Sequence, residues 1–240
     1  GTGGPENAAR QARYQALDEV AERLGAAAVM LGHTQDDQAE TVLLGLARGS
    51  GARSLAGMPT SFRRGSGVLY LRPLLEIDRA TTRRACEAMG LDPWDDPHNV
   101  DPAYTRVRVR HEVMPVLEKS LGPGVAAALA RTARMLRDDA DYLDEVAARS
   151  FADLEDSHDG YAVAIRLEDL GKLPRAIRTR VLRMAAVKAG SPAGTLAAVH
   201  VDAVDRLVTA WRGQRHVDLP GGLRAFRRYG KLLFGRTGEV

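Results

Sequence analysis

Between Ala26 and Leu31 the chain runs through six apolar residues, AAAVML, and turns at once into GHTQDDQAE. A short unbroken apolar run fits a strand covered on both faces in a parallel sheet, since a half-exposed strand would alternate. The helix expected next, from about Asp36 to Ala47, carries Ala39, Val42, Leu43 and Leu46 on one face and stops in the glycine-rich ARGSGARSLAG. Strand, loop and helix in that order make the repeating unit of an α/β fold. In such sheets ligands settle beyond the carboxyl ends of the strands. The loop and first helical turn between Leu31 and Glu40 are therefore where a site is expected.

The flanking sequence extends the pattern. ENAARQARYQALDEVAERL, residues 6–24, is periodic as an amphipathic helix and Gly25 ends it; Val68 to Leu75 reads as a strand and Asp78 to Met89 as a helix with Asp78 as N-cap. The fold class expected is α/β, with a partial parallel sheet over residues 1–121. After Gly90 the prolines and aspartates of LDPWDDPHNVDPAYT forbid regular structure, and a helical segment from about Arg106 to Leu121 is expected to kink at Pro115. Gly122-Pro123-Gly124 marks a domain boundary. Residues 122–240 read as a mostly helical domain with a small β element. Its parts are a long helix from Val125 to Phe151, a strand from Tyr161 to Leu167, helices over Leu173–Ala189 and Leu196–Trp211, and short strands between His216 and Phe234.

Charge divides the chain at Gly171. Residues 1–171 carry 20 Lys+Arg against 27 Asp+Glu, a net −7, whereas residues 172–240 carry 14 against 4, a net +10. A basic C-terminal third suits a polyanion such as RNA, because Lys and Arg release the counterions of phosphates; the alternative is a solvated basic face. No run approaches the ~18 apolar residues a membrane span needs, and GTGGPENAAR has no secretory apolar core, so neither membrane nor export is expected. With one cysteine, Cys86, there is no internal disulfide or CxxC pair, which fits the cytoplasm; Cys86 reads as a small buried core residue.

Four side chains of the loop and helix stand out. Asp37 and Glu40, three apart, share a helical face, Asp36 lies toward its edge, and His33 precedes them. Such a pair can hold Mg²⁺ or receive the ammonium of an amine, and a carboxylate or His33 can take the proton an amine loses before it attacks. Thr34-Gln35-Asp36-Asp37 is equally a capping box, on which reading Asp36, and Asp37 with it, serves the helix alone. Arg10 and Arg13 on the first helix, and Arg106, Arg108 and Arg110 after the proline-rich loop, form either an anion site or ordinary solvated faces. The opening Thr2-Gly3-Gly4-Pro5-Glu6-Asn7 has the glycines of a phosphate loop but no buried strand before it, and reads as coincidence.

GHTQDDQAETVLLGLARGSG, then AGM, RPLL and DPHNVDPAYTRVRVRHEVMPVLE, together with AARQARY over 8–14, resemble the tRNA(Ile)-lysidine synthases in order and spacing. The resemblance covers most of residues 5–121 and is weaker beyond. It implies an adenine-nucleotide-hydrolase-like (PP-loop) domain over 1–121 and a basic tRNA-binding domain over 122–240. The implied reaction is adenylation by ATP of the wobble cytidine of a CAU-anticodon tRNA(Ile), followed by attack of L-lysine. His33, Asp37, Glu40 and Arg106 are then the expected catalytic set, with Asp37 also a Mg²⁺ ligand. Arg10, Arg13, Gly32, Asp36 and Arg110 become contacts to ATP or substrate, and Arg175, Arg178, Arg224, Arg227 and Arg228 contacts to tRNA. A homodimer is compatible with this reading. The family's SGGxDS loop lies upstream of Gly1, so these residues alone are expected to be an inactive part of a longer enzyme. A tRNA thiolase of the same superfamily is disfavoured by the single cysteine, and a non-catalytic tRNA-binding module is the remaining rival.

Overall fold

The computed structural model describes residues 5–49, 51–65, 67–156 and 160–236, and the chain divides into two compact units, 1–138 and 139–240. The glycine-rich start at residues 2–4 lies outside the described residues. Among the described residues no helix is long and apolar enough to cross a membrane.

The first unit opens with α1 (Pro5–Leu24), which Gly25 ends in a left-handed turn at φ +59. β1 (Val29–Met30) leads into α2 (Gln35–Ala47); α3 (Ala52–Leu55), β2 (Ser61–Arg63), β3 (Leu69–Leu71) and α4 (Arg79–Ala88) follow. The sheet order is β1-β3-β2, with β1 parallel to β3 (Val29 opposite Tyr70) and β2 antiparallel to it (Phe62 opposite Tyr70). The apolar run expected as a strand buried on both faces yields only two paired residues, and Met30 is 73 % exposed. The reason is position: β1 ends the strand order among the described residues, and an end strand has one paired edge. Phe62 lies stacked at 5.1 Å on Tyr70, with Tyr14 of α1 edge-on to both, and the Tyr70 hydroxyl donates to Asp18 at 2.6 Å. These contacts seat α1 against the sheet.

Asp78 caps α4 as expected, accepting the N–H of Thr81. Cys86, expected to be buried, is only partly so, because α4 buries none of its residues. After a 3-10 turn at Pro97–Asn99 come α5 (Thr105–Arg108), a π-helical turn (Val109–Val113) and α6 (Met114–Leu121). Pro115 explains the wide turn: it has no N–H to give the carbonyl of His111, and its ring needs room there. The irregularity thus precedes the proline and takes a π form. The long helix α7 (Val125–Leu154) is capped by Glu118, whose carboxylate accepts the N–H groups of Gly124 (2.6 Å) and Ala126 (3.0 Å). The boundary between compact units falls inside α7, beyond Gly122-Pro123-Gly124.

In the second unit β4 (Val163–Arg166), α8 (Leu167–Lys172), α9 (Arg175–Lys188), α10 (Ala198–Thr209), β5 (Val217–Leu219), β6 (Leu223–Arg228) and β7 (Lys231–Arg236) follow in sequence. The strands pair antiparallel in the order β4-β7-β6-β5, and one face of this sheet packs with the helices around Ile165, Leu170, Leu182, Leu207, Leu232 and Phe234.

Candidate active site

The loop after β1 is tied into its surroundings by the backbone first. Leu31 N–H donates to Leu71 O at 2.8 Å and Gln35 N–H to Ile77 O at 3.0 Å, so the start of α2 lies against the approach to α4. Thr34 is the N-cap of α2, and Asp37 reaches back to it: Oδ2 accepts the Thr34 N–H at 2.8 Å and the Thr34 hydroxyl at 2.9 Å. Asp36 serves a different helix from the one it was expected to cap. Its Oδ2 accepts the backbone N–H of Arg79 at 2.7 Å and so anchors the first turn of α4.

Three arginines converge on the remaining carboxylate oxygens. Arg79 Nη2 donates to Asp37 Oδ1 (3.0 Å) and Glu40 Oε1 (3.2 Å). From the π turn, Arg110 donates through Nε to Glu40 Oε1 (2.8 Å) and through Nη2 to Glu40 Oε2 and Asp37 Oδ1 (both 3.1 Å). Arg106 donates to the Thr41 hydroxyl at 3.0 Å, which itself donates to Asp37 O at 2.7 Å; the Arg106 Nε stands 3.9 Å from Glu40. Glu40 is 1 % exposed, whereas the guanidinium-bearing side chains remain partly open to solvent. The carboxylates are therefore inside and the positive groups outside, an arrangement that presents cations to a ligand.

Electrostatics follow the same logic. Burial pushes the Asp37 carboxyl upward, but the Thr34 N–H and the Arg79 guanidinium outweigh it and hold the group below the usual carboxylate range. Burial likewise opposes the charge on Arg110, and Glu40 more than compensates. Arg72, almost fully buried, lies over the Phe62 ring at 4.5 Å, donates to Pro59 O at 2.8 Å and directs its Nε–H to His33 Nδ1 at 3.3 Å. Because Nδ1 accepts, the neutral ring carries its proton on Nε2. Burial, then the charges of Arg72, Arg106 and Arg10, keep His33 below its ordinary 6.5, though Asp37 pulls the other way. His33 is thus a neutral ring with an N–H to give.

Among the residues expected at the site, His33, Asp36, Asp37, Glu40, Arg106 and Arg110 are brought together. Arg10 is exposed, beside Tyr14 at 5.5 Å, and its charge is felt at His33 and Arg72; Arg13 is exposed and acts on Asp96 instead. Arg108 braces the proline-rich loop through the carbonyls of Pro102 and Ala103. A Cβ added at Gly32 would meet nothing within 4 Å, so space there does not demand a glycine. Gly57 is different: at φ +61, an added Cβ would fall 2.5 Å from the Gln38 side chain, which clamps Met58 by both amide atoms (3.0 and 2.7 Å). Arg72 and Arg79 escaped the sequence reading. Each lay within reach, Arg72 at the head of RPLL and Arg79 directly after the helix-capping Asp78. A cleft of about 190 Å³ opens beside the network, lined by Asp36, Glu40, Arg79, Arg110 and Glu118 together with the apolar Met114 and Pro115. Among the described residues no group of three His, Cys, Asp or Glu side chains is placed to hold a metal ion.

The profile of the PP-loop domain matches residues 2–117, and that of the TilS substrate binding domain matches residues 166–233. A tRNA(Ile)-lysidine synthase from Thermobifida fusca is 60 % identical over 232 residues, covering 96 % of this chain and 68 % of that protein. The chain belongs to the tRNA(Ile)-lysidine synthase family. Proteins of the same name from Streptomyces coelicolor (58 % identical over 231 residues, 96 % of this chain and 64 % of that one) and Mycobacterium bovis (48 % over 244 residues, 99 % and 69 %) agree. The chain thus spans about two thirds of the length of these relatives.

The lysidine-synthase substrate-binding profile falls within the second unit and takes in most of the basic stretch 172–240, where the expected tRNA contacts are distributed unequally. Arg175 is exposed and pairs with Asp202 at 2.9 Å; Arg224 pairs with Asp218 at 2.9 Å. Arg227 lies over the Trp211 ring at 4.8 Å and donates to Leu207 O, and Arg228 is exposed beside Tyr229. Arg178 differs from the other four: it is buried, donates to Asp205 Oδ1 at 2.6 Å and to Leu173 O at 2.6 Å, and joins α9 to α10 inside the unit.

Proposed function

We propose that the protein is the ligase its family is named for: with ATP it adenylates the wobble cytidine of a CAU-anticodon tRNA(Ile), and L-lysine displaces AMP to form lysidine. The observation that carries this reading is the guanidinium cluster of Arg79, Arg106 and Arg110 beyond the carboxyl end of β1, oriented from behind by Asp37 and Glu40. Adenylyl transfer builds negative charge on the α-phosphate, and prepositioned donors that need not reorganise stabilise it. Arg106, whose nearest carboxylate is 3.9 Å away, has the most charge to offer, and the His33 Nε2–H is a further donor. Asp37 and Glu40 are positioning residues on this reading, because the arginines occupy their oxygens.

Lysine's ammonium is matched by Asp36 in the adjoining cleft, which uses Oδ2 for the Arg79 N–H. The donor set does not fit a protein-bound cation at Asp37, since Thr34 and two arginines already share its carboxylate, and no step is assigned to a Mg²⁺ held there. The need for ATP and tRNA supports a cytoplasmic reaction. In the full-length protein, Arg106→Ala is expected to lower lysidine formation by roughly a hundredfold or more while tRNA affinity changes little. Wild-type turnover by that variant would reject the assignment.

A further inference from the structure

The hairpin joining β6 to β7 turns on two residues, Tyr229 and Gly230, between the paired Arg228 and Lys231. Both have positive φ, +50 and +73. Turns of this kind select Asn-Gly or Asp-Gly, because a bulky side chain in the left-handed region crowds its own backbone. A tyrosine is an unfavourable choice here unless its ring is used, and the core does not use it: Tyr229 is 83 % exposed. Residues held against their backbone preference concentrate where they serve a function.

The surroundings say what kind of function. The Arg228 guanidinium lies 4.9 Å from the centre of the Tyr229 ring and donates to the hydroxyls of Tyr229 and Tyr161, both at 3.3 Å. Tyr161 is fixed in turn, edge-on to Phe226 at 5.2 Å on the sheet face away from the main core. An exposed aromatic ring is therefore propped on an arginine that is itself anchored. Trp211 provides the contrast. Its ring lies 4.8 Å from the Arg227 guanidinium and its Nε1–H donates to Gln214 O at 3.1 Å, and at 50 % it is less exposed than Tyr229.

We propose that Tyr229 is a stacking platform for an unpaired nucleobase of RNA, with Arg228 holding the ring and attracting the neighbouring phosphate. Every base has a π-face, a flexible backbone can splay one out, and an aromatic ring beside a cation is the common receptor for it. The basic balance of residues 172–240, 14 Lys+Arg against 4 Asp+Glu, suits a polyanion, and the exposed ring beside a cation points to a polyanion that carries bases. The inference rests on the tRNA-modifying reading above and adds to it a contact made to a base and not to the phosphate chain.

The test uses the full-length protein and two probes, an RNA stem–loop with 2-aminopurine in its loop and a blunt RNA duplex of the same length. Tyr229→Ala and Tyr229→Asn are expected to weaken stem–loop binding roughly tenfold and to abolish the 2-aminopurine fluorescence change, leaving duplex binding as it was; Tyr229→Trp keeps both. Tyr229→Asn also separates folding from binding, since Asn suits positive φ and the variant should melt no lower than the wild type. If the wild type binds the stem–loop and Tyr229→Ala binds it equally well, the platform is rejected while the RNA reading stands. Equal losses on stem–loop and duplex reject it too, and point to charge alone. If the wild type binds neither probe, the RNA reading falls and the platform falls with it.

Discussion

The two compact units bury different things. The second closes around Ile165, Leu170, Leu182, Leu207, Leu232 and Phe234, with Arg178–Asp205 as a charged island. The first counts Glu40 among its largest fully buried side chains, beside Tyr70 and Val42, and also buries Thr34, Gln38 and Arg72. Apolar burial contributes about 1.5–3 kcal/mol for each large side chain, whereas a buried ion pair returns little beyond its own desolvation. The second unit is thus organised for stability. The first spends buried volume on fixing the direction of three guanidinium groups.

This contrast separates two substitutions of similar energetic size. Phe234→Ala should cost about 4 kcal/mol by emptying the apolar core, and Glu40→Ala about 3 kcal/mol by removing the buried carboxylate to which the half-buried Arg79 and Arg110 are paired. Differential scanning calorimetry should show each loss. Their chemistry should diverge: the Glu40 variant loses lysidine formation at every salt concentration, and the Phe234 variant, assayed well below its transition, turns over substrate bound at saturating tRNA. A Glu40 variant with wild-type turnover would mean the network is structural only.

How much of this was legible depends on which force shaped each part. Helices were readable because their periodicity is local: α1, α2, α4, α7, α9 and α10 fall close to the segments expected from sequence. β2 was not, because Ser61-Phe62-Arg63 is too short for alternation to register, and its place is set by Phe62 stacking on Tyr70. At the site, Asp37 and Glu40 were legible from their spacing, but their orientation was not. Arg79 and Arg110 lie 39 and 70 residues from Glu40, and nothing local says that they fill its oxygens. The same limit hid the burial of Arg178, whose partner Asp205 lies 27 residues away.

That island in the second unit gives a gentler way to sharpen the comparison. If Arg178 and Asp205 only join α9 to α10, the paired replacement Arg178→Met with Asp205→Leu should leave stability within about 1 kcal/mol, and tRNA affinity and its salt dependence unchanged. The single change Asp205→Leu should be much worse, since it strands a buried charge. A tRNA affinity that falls with the paired replacement would return Arg178 to the RNA surface.

The smallest effect tests how the first unit tunes a single proton. His33 is held below 6.5 in the folded protein by burial and then by Arg72. An unfolded His33 takes up its proton at about 6.5, before the folded one does, so this group contributes no pH dependence above that value and lowers stability as pH falls below it. Proton uptake at Nδ1 also sets a positive ring against the Arg72 Nε–H, which should release the ring from its fixed orientation. The acid limb of activity should accordingly lie below pH 6.5. Arg72→Gln keeps a side-chain N–H and removes the charge, so it should move the His33 midpoint upward, measured by the ring Cε1 proton in NMR, and carry the acid limb with it. Burial remains in that variant, and the midpoint should stay at or below 6.5. A wild-type midpoint above 6.5 would show that Asp37, and not Arg72, governs the ring, and His33 would then be a proton acceptor instead of the N–H donor that the Arg72 contact makes it.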